Sequence, residues 1–316
     1  MKVLLIGSGA VGGFYGAHLA KAGAEVTLLC RSDHAVVQRQ GIVITSIDPV
    51  TKAEKTLTFH PHRVIRHSDE YQEQADVILV ALKALPEIDL PALLAPALPT
   101  NHPRILLLQN GIGVESPVAN AFPHHEILSG LAFVCLNRVA PGTIHHLGYG
   151  RLTIGRYPMG SSPMAEQLAQ RFQVSGIPVQ ISSQILRDRW QKLVWNAPFN
   201  PLSVLGQGAT THDILQCPAT AQLAAEIMSE VIAIAQAEGY TLGPELIQKN
   251  LNDTERMMPY RTSMLMDYQS HRPMEIEAIL GQPLRVAGAR GVTAPRMATL
   301  YALLQLLNRP STVPQP

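Results

Sequence analysis

The sequence predicts an α/β protein in which an N-terminal Rossmann-type, doubly wound parallel sheet is followed by an all-helical C-terminal domain. Two observations carry this prediction. A glycine-rich β-α-β unit opens the chain, and strand-like apolar runs stop near residue 182, after which the apolar pattern is helical. The length of 316 residues suits two domains, and 46% hydrophobic with 16% charged residues is a globular composition. We therefore place the domains at residues 1–182 and 183–316.

The first β-α-β unit lies at the very start of the chain. Residues 3–6 are wholly apolar and are followed by glycine, as expected for a central strand that is buried on both faces of a parallel sheet. Residues 10–22 follow as a helix closed by Gly23, and residues 25–29 form the second strand. This arrangement, within about thirty residues, is typical of a nucleotide-binding α/β domain.

The remainder of the first half continues as α/β structure. Strands are predicted at residues 77–80, 105–108, 127–135, 152–154 and 178–181, and a helix is predicted at residues 163–174. The second half is predicted to contain helices at residues 185–195, 219–237, 244–257, 273–287 and 295–307. Several of these open with proline, which the first turn of a helix tolerates. Pro198 and Pro201 predict a kinked or ended helix near Asn200, and the terminal residues 309–316 are expected to fray.

Charge and cysteine usage exclude several classes of function. The 25 basic and 24 acidic residues leave a net charge of +1, so no overall basic field would hold a nucleic acid or an anionic membrane. The three cysteines are widely spaced and form neither a zinc motif nor a disulfide framework, which favours a cytoplasmic protein. No segment is apolar enough to span a membrane, and the histidine pairs lack a metal-binding spacing, so no metal site is predicted.

A G-x-G-x-x-G motif lies at the turn from the first strand into the first helix. It consists of Gly7, Ser8, Gly9, Ala10, Val11 and Gly12. In this setting the first glycine permits a tight turn, the second lets a pyrophosphate approach the backbone, and the third lets helix and strand pack closely. The helix N-terminus adds N–H groups and a positive partial charge. The motif predicts a dinucleotide-binding loop, and the alternative is a glycine-rich turn without a ligand.

The end of the second strand indicates which dinucleotide is bound. An NAD-binding protein usually places Asp or Glu there, on the ribose 2′-hydroxyl. This chain instead has Arg31 at or near that position. Because a guanidinium offers a fork of donors to a 2′-phosphate, the residue predicts NADP(H) as the cofactor. The alternative is a solvated surface arginine.

Further polar residues lie at strand ends or among apolar neighbours. Lys83 and Asn110 follow presumed parallel strands, whose carboxyl ends bind ligands in open α/β sheets, although Asn-Gly is also a common turn pair. Lys192, Asn196 and Asn200 are four residues apart, so a continuous helix would place them on nearly one face. They predict a polar site amid apolar neighbours, and the alternative is a polar seam against the first domain.

These motifs together resemble the ketopantoate reductase (2-dehydropantoate 2-reductase) family, in order from residue 2 to about residue 297. The resemblance is carried by the glycine motif, Arg31, Leu82-Lys83-Ala84, Gln109-Asn110-Gly111-Ile112-Gly113, Trp190-Gln191-Lys192-Leu193 with Asn196, Asn200-Pro201-Leu202, Ser263-Met264-Leu265-Met266-Asp267 and Glu275-Ile276-Glu277. It implies an enzyme that uses NADPH to reduce 2-dehydropantoate to pantoate in pantothenate biosynthesis. The first domain would then bind NADP(H), and the helical domain would carry substrate and catalytic groups.

The resemblance also implies a role for each matched residue. Lys192 would be the proton donor and a substrate contact, Asn110 a contact of both cofactor and substrate, Asn196 and Asn200 substrate ligands, Ser263 the partner of the substrate carboxylate, Glu275 a group near the nicotinamide ribose and substrate hydroxyl, and Arg31 and Lys83 cofactor contacts. A free lysine has a pKa of about 10.4, so an efficient acid would need burial to lower it, or replenishment by water.

Several alternatives stay open at the level of sequence. The chain could reduce another 2-oxo acid, or act as a non-catalytic NADP(H) sensor, which would not need Lys192 and Glu275. A related dehydrogenase of a 3-hydroxy acid or sugar phosphate would fit the Lys83 and Ser263 segments less well. Thr210 lies about where some family members have an asparagine, which leaves the substrate fit there open. The helical half could pair with a copy of itself as a homodimer.

Overall fold

The structure, a computed structural model, describes residues 1–48, 50–98 and 102–308, which form two compact units. The first unit comprises Met1–Lys83, Ile88–Gln109 and Val114–Leu186, and the second comprises Ala84–Glu87, Asn110–Gly113 and the chain from Arg187 onward. The two short segments of the second unit come from the half predicted to form the nucleotide-binding domain. The assignment of separate roles to residues 1–182 and 183–316 stays a prediction. The tail expected to fray, residues 309–316, lies outside the described residues.

The first unit is built on one ten-stranded mixed sheet. Its strands are β1 (Lys2–Ile6), β2 (Glu25–Leu29), β3 (Ile42–Ile47), β4 (Glu54–Phe59), β5 (Arg63–Ile65), β6 (Val77–Val80), β7 (Arg104–Leu107), β8 (Ile127–Ala140), β9 (Thr143–Arg156) and β10 (Val179–Ser182). Their order is β4-β3-β9-β8-β7-β6-β1-β2-β5, with β10 paired to β9. The run from β5 to β8 is parallel throughout, which confirms the Rossmann-type sheet. The β8–β9 and β3–β4 pairs are antiparallel.

The apolar runs that predicted the central strands are buried on both faces of the sheet. In β1, Val3 and Leu5 belong to one core cluster, whereas Leu4 and Ile6 belong to the cluster on the other side. Strand β6 divides its residues in the same way. Since successive side chains of a strand point to opposite faces, a doubly covered strand must be apolar at every position. This explains why these strands were recognisable from sequence.

The helices of the first unit are α1 (Ala10–Lys21), α2 (His34–Gln40), α3 (Leu90–Leu94), α4 (Ser116–Ala121) and α5 (Pro163–Val174), with 3-10 turns at Ser68–Glu70 and Ala95–Ala97. The second unit contains α6 (Ile185–Leu205), α7 (Thr211–Gln216), α8 (Pro218–Ala237), α9 (Glu245–Glu255), α10 (Ser263–Gln269), α11 (Gln282–Arg290) and α12 (Pro295–Leu307), with a π-helical turn at Glu277–Gly281. No strand occurs among the described residues of this unit, as predicted. No helix in the described ranges is long and apolar enough to cross a membrane.

Two helix predictions of the second unit were wrong in detail. Helix α6 was expected to kink or end near Asn200; it does not end there but continues to Leu205 through Pro198 and Pro201. The prolines remove the donors that an α-helix would give the carbonyls of residues 194 and 197, a cost offset by side chains of the same segment that are buried in the apolar core. The helix expected at residues 273–287 instead begins with the π-turn, and α11 ends at Arg290.

Candidate active site

The glycine-rich turn of the first unit has the shape of a dinucleotide cradle. Gly7 adopts a positive φ of 110°. A Cβ at Gly12 would lie 2.0 Å from the carbonyl oxygen of Gly7, so only glycine lets the helix approach the loop this closely. A Cβ at Gly9, in contrast, would meet nothing within 4 Å. The turn is therefore closed against the protein at Gly12 and open at Gly9, as the motif predicted.

The N-terminus of α1 provides the charge complement for an anion at this turn. Gly13 N–H donates to the carbonyl of Gly9 at 2.8 Å, which leaves the N–H groups at the start of the helix outside the i→i−4 ladder. The first turn carries no acidic side chain that would repel a phosphate. These features fit the pyrophosphate of a dinucleotide.

After the end of β2, a basic residue is exposed and an acidic residue is buried. Arg31 is exposed, whereas Asp33 is buried and accepts from Arg138 Nη2 at 2.7 Å and from the N–H of Gly142 at 3.2 Å. The first carboxylate after this strand in the sequence is thus engaged inside the first unit. This environment suits a 2′-phosphate better than a bare ribose hydroxyl.

Three of the predicted site residues form one hydrogen-bonded chain within the second unit. Lys192 Nζ donates to Asn110 Oδ1 at 2.9 Å, and Asn110 Nδ2 donates to Glu275 Oε2 at 3.3 Å. The other oxygen of Glu275 accepts the N–H of Ala84 at 2.9 Å. Residues distant in sequence therefore converge on one nearly buried carboxylate.

The loop that carries Asn110 is fixed by close backbone packing. Gly111 has a φ of 87°, and a Cβ there would lie 2.3 Å from the carbonyl oxygen of Ala278. The N–H of Ile112 donates to the same carbonyl at 3.0 Å. The Asn-Gly pair therefore forms a turn that packs against the π-turn, and the ligand contacts expected of Asn110 stay a prediction.

The environment of Lys192 favours the neutral amine far more than water does. The pKa of this lysine is lowered to about 7: burial is the largest cause, the positive charge of Arg189 adds to it, and the carboxylate of Glu275 opposes both effects. A lysine with a pKa near neutrality can release and regain a proton at physiological pH.

The other predicted substrate residues lie on two helices joined by a hydroxyl bridge. Asn196 and Asn200 are buried on α6, and the carbonyl of Asn200 accepts from Ser203 Oγ at 2.8 Å. Ser203 Oγ lies 2.6 Å from the hydroxyl of Thr262, whose neighbour Ser263 is exposed at the first position of α10. The start of α10 is thereby held against the second half of α6. The substrate contacts assigned to these residues stay predictions.

Lys83 and Thr210 were also singled out in the sequence. Lys83 is half-buried and ends the first-unit segment directly before Ala84. The hydroxyl of Thr210 donates to Asp213 at 2.7 Å and accepts its N–H at 3.2 Å, which caps α7. This hydroxyl serves the helix cap, so we do not assign it the amide contact of the family's asparagine.

One cluster outside this site has the donor atoms of a metal site. Glu25, His62 and Glu73 each bring one such atom within 4.8 Å of the others. The ammonium of Lys2 lies 2.8 Å from a Glu73 oxygen and 3.5 Å from a Glu25 oxygen. Both carboxylates therefore already have a cationic partner, so we assign no metal here.

Sequence reasoning overlooked Arg189. This side chain is 2% exposed, and its Nη1 donates to the carbonyl of Gly111 at 2.9 Å. Its position three residues before Lys192 was the available signal, because residues three apart share a helix face.

The dinucleotide cradle and the lysine of lowered pKa define a Rossmann-type, dinucleotide-dependent oxidoreductase. Two family profiles match the chain: one described as "Ketopantoate reductase PanE/ApbA" at residues 3–159, and one described as its C-terminal part at residues 184–308. The chain belongs to the ketopantoate reductase family.

Individual relatives cover almost the whole chain. A 2-dehydropantoate 2-reductase of Nostoc sp. is 40% identical over 97% of this chain and 95% of its own length. The crystal structure of 2-dehydropantoate 2-reductase from Methylococcus capsulatus is 42% identical, with a TM-score of 0.87 and coverage of 97% and 96%. A D-mandelate dehydrogenase complex with NADH and anilino(oxo)acetate is 22% identical and shares the fold, with a TM-score of 0.88 and 98% coverage of each chain.

We expect Gly9→Ala to weaken NADPH binding at least tenfold while the protein stays folded. The new methyl group meets no protein atom but enters the space that the pyrophosphate would use, a loss of about 1.4 kcal/mol or more. Quenching of protein fluorescence by NADPH measures the affinity, and thermal unfolding measures the stability. Gly288→Ala, also free of contacts, is the matched control. Unchanged NADPH affinity in Gly9→Ala would place the dinucleotide elsewhere.

Proposed function

We propose that this chain catalyses the NADPH-dependent reduction of 2-dehydropantoate to pantoate, a step of pantothenate biosynthesis. The observation that carries the proposal is the Lys192–Asn110–Glu275 hydrogen-bond chain, in which the lysine has a pKa of about 7. Membership of the ketopantoate reductase family supports the choice of substrate.

Lys192 performs the proton chemistry of the proposed reaction. Bound NADPH supplies the hydride that reduces the keto carbon. Negative charge then grows on the carbonyl oxygen, where an ammonium both stabilises the charge and donates the proton that completes the hydroxyl group. Asn110 Oδ1 holds the ammonium in place through its 2.9 Å hydrogen bond, and Glu275 orients the amide of Asn110.

The remaining residues bind and orient. The turn from Gly7 to Gly12 holds the pyrophosphate of NADPH, and Arg31, with Lys83, binds the rest of the cofactor. Asn196, Asn200 and Ser263 hold the substrate, with the exposed hydroxyl of Ser263 serving its carboxylate. The half-buried position of Lys192 and the burial of both asparagines support a site from which much of the water is excluded.

A reductase of another 2-oxo acid is the second candidate, and the fold shared with a D-mandelate dehydrogenase complexed with NADH favours it. A panel of 2-oxo acids, followed by the absorbance of NADPH and of NADH, separates the candidates. We expect 2-dehydropantoate with NADPH to give the highest kcat/KM. Turnover of no 2-oxo acid would favour a non-catalytic NADP(H) sensor.

The chain is expected to work in the cytoplasm as a homodimer. The net charge of +1 gives no support to binding of nucleic acid. Two of the three free cysteines, Cys30 and Cys135, are buried as thiols, which agrees with a reducing compartment. Leu303, Leu306 and Leu307 are exposed on α12 and support pairing of the helical unit with a second copy. Light scattering after gel filtration measures the assembly.

We expect Lys192→Ala to bind NADPH almost normally but to reduce 2-dehydropantoate at least about a hundredfold more slowly, the usual cost of one lost donor to a developing oxyanion. NADPH titration, thermal unfolding and kcat on one preparation make the comparison. Lys249→Ala is the matched control, because this lysine is exposed on α9 and pairs with Asp253. A near-wild-type kcat in Lys192→Ala would remove Lys192 from the mechanism.

The pH dependence of the reduction follows from the lowered pKa of Lys192. The ammonium is the active form, so it is present below pH 7 and lost as the pH rises through about 7. We expect log kcat/KM for reduction to fall with a slope of about one above this pH. Rates at fixed NADPH across a pH series measure the profile. A rate that stays level up to pH 9, well above the expected limb, would contradict the assignment.

We expect Arg31→Ala to weaken NADPH much more than NADH, because the guanidinium would bind the 2′-phosphate that only NADPH carries. A charge-assisted contact of this kind is worth about 1.5–3 kcal/mol, or roughly a ten- to hundredfold change in affinity. Arg39→Ala, an exposed arginine in the last turn of α2, controls for general loss of positive charge. Equal weakening of both nucleotides would show that Arg31 does not bind the phosphate.

A further inference from the structure

Arg189 is a buried cation on the same helix as Lys192. Arg189 is 2% exposed and is one of the largest fully buried side chains among the described residues. It precedes Lys192 by three residues on α6, a spacing that places both on one face of the helix. A guanidinium without solvent is costly unless its surroundings compensate it, so its presence here requires a physical reason.

The first reason is that Arg189 donates a hydrogen bond to the loop that carries Asn110. Its Nη1 donates to the carbonyl of Gly111 at 2.9 Å, while Lys192 Nζ donates to Asn110 Oδ1 at 2.9 Å. Two cations about one turn apart on helix α6, Arg189 and Lys192, therefore donate to the successive loop residues Gly111 and Asn110. The loop is also tied on its other side, where the N–H of Ile112 donates to Ala278. Arg189 thus fixes the position at which Asn110 receives the ammonium.

The second reason is electrostatic. Arg189 is a second cation that acts on Lys192, and its positive charge lowers the pKa of the Lys192 ammonium. The charged groups that act on Lys192 include Arg189 from α6 and Glu275 from the segment before the π-turn, while the loop contributes the neutral amide of Asn110. When Lys192 loses its proton, repulsion from Arg189 disappears. The arrangement favours proton release.

We propose that Arg189 is a positioning residue of the active site, which anchors the Asn110 loop and promotes proton donation by Lys192. The inference rests on the proposed function, in which an N–H bond of the Lys192 ammonium breaks as an O–H bond forms on the reduced carbonyl oxygen. Arg189 exchanges no proton and touches no reacting atom in this scheme. It acts by fixing the Asn110 loop and by the effect of its positive charge on the Lys192 ammonium.

Two variants separate the hydrogen bond of Arg189 to the loop from the effect of its charge on Lys192. Arg189→Met removes the charge and the donor, whereas Arg189→Lys keeps the charge but lacks the planar fork. We expect Arg189→Met to move the pH at which the reduction rate falls upward by at least about half a unit, as removal of a nearby like charge predicts. Arg189→Lys should keep this pH near its wild-type value. Both variants should lower kcat, because both loosen the loop.

A second measurement does not depend on turnover. The 13Cε shift of Lys192 in lysine-labelled protein, assigned by loss of its signal in Lys192→Met, reports the titration of the ammonium directly. We expect the same upward shift in Arg189→Met and none in Arg189→Lys. Should Arg189→Met fail to fold, Arg189→Gln takes its place as the neutral variant.

The outcomes distinguish this inference from the proposed function. A Lys192 titration that is unchanged in a folded, neutral variant at position 189 would overturn the role of Arg189, whatever the enzyme reduces. Loss of thermal stability with an unchanged pH profile would do the same, since a merely structural arginine gives that result. If instead the NMR shift appears but Lys192→Ala retains full activity, the proposed mechanism fails while the influence of Arg189 on Lys192 stands.

Discussion

The carboxylate of Glu275 holds two separate loops at once, and the geometry of the candidate site depends on this double hold. One oxygen accepts the N–H of Ala84, and the other accepts the amide of Asn110. These loops follow β6 and β7, which are neighbours in the sheet. A nearly buried carboxylate needs donors on both oxygens. Because Glu275 takes one of these donors from Asn110, it also positions the amide of Asn110 beside Lys192.

The same residues also set the charge balance at Lys192. Lys192 lies in an environment that disfavours its charge, and the carboxylate of Glu275 opposes this effect. The carboxylate keeps enough ammonium present near neutral pH, whereas burial and Arg189 keep that ammonium acidic. A balance of this kind is typical of sites where one group must hold a proton in one step and release it in the next.

Sequence reasoning identified the elements whose physical causes are local. The glycine motif, α1 and the doubly buried strands follow from turn chemistry and from burial on two faces, which leave clear patterns. Strands β3 to β5 were missed because they lie at the two ends of the sheet and are less completely buried than the central strands. The course of α6 through Pro198 and Pro201 depends on distant apolar contacts, which override local propensity. The Lys192–Asn110–Glu275 convergence joins residues up to 165 apart, so only the family resemblance suggested it.

Helix α6 is continuous from Ile185 to Leu205 and carries Arg189, Lys192, Asn196 and Asn200. Each residue of an α-helix turns the next by about 100°, so inserting or deleting one residue within this stretch would rotate the later groups away from the earlier ones together. Exchange of one side chain alters one contact and leaves the spacing of the others intact. Divergence of substrate preference on this scaffold should therefore proceed by replacement at fixed positions, with the length of α6 kept constant among related chains.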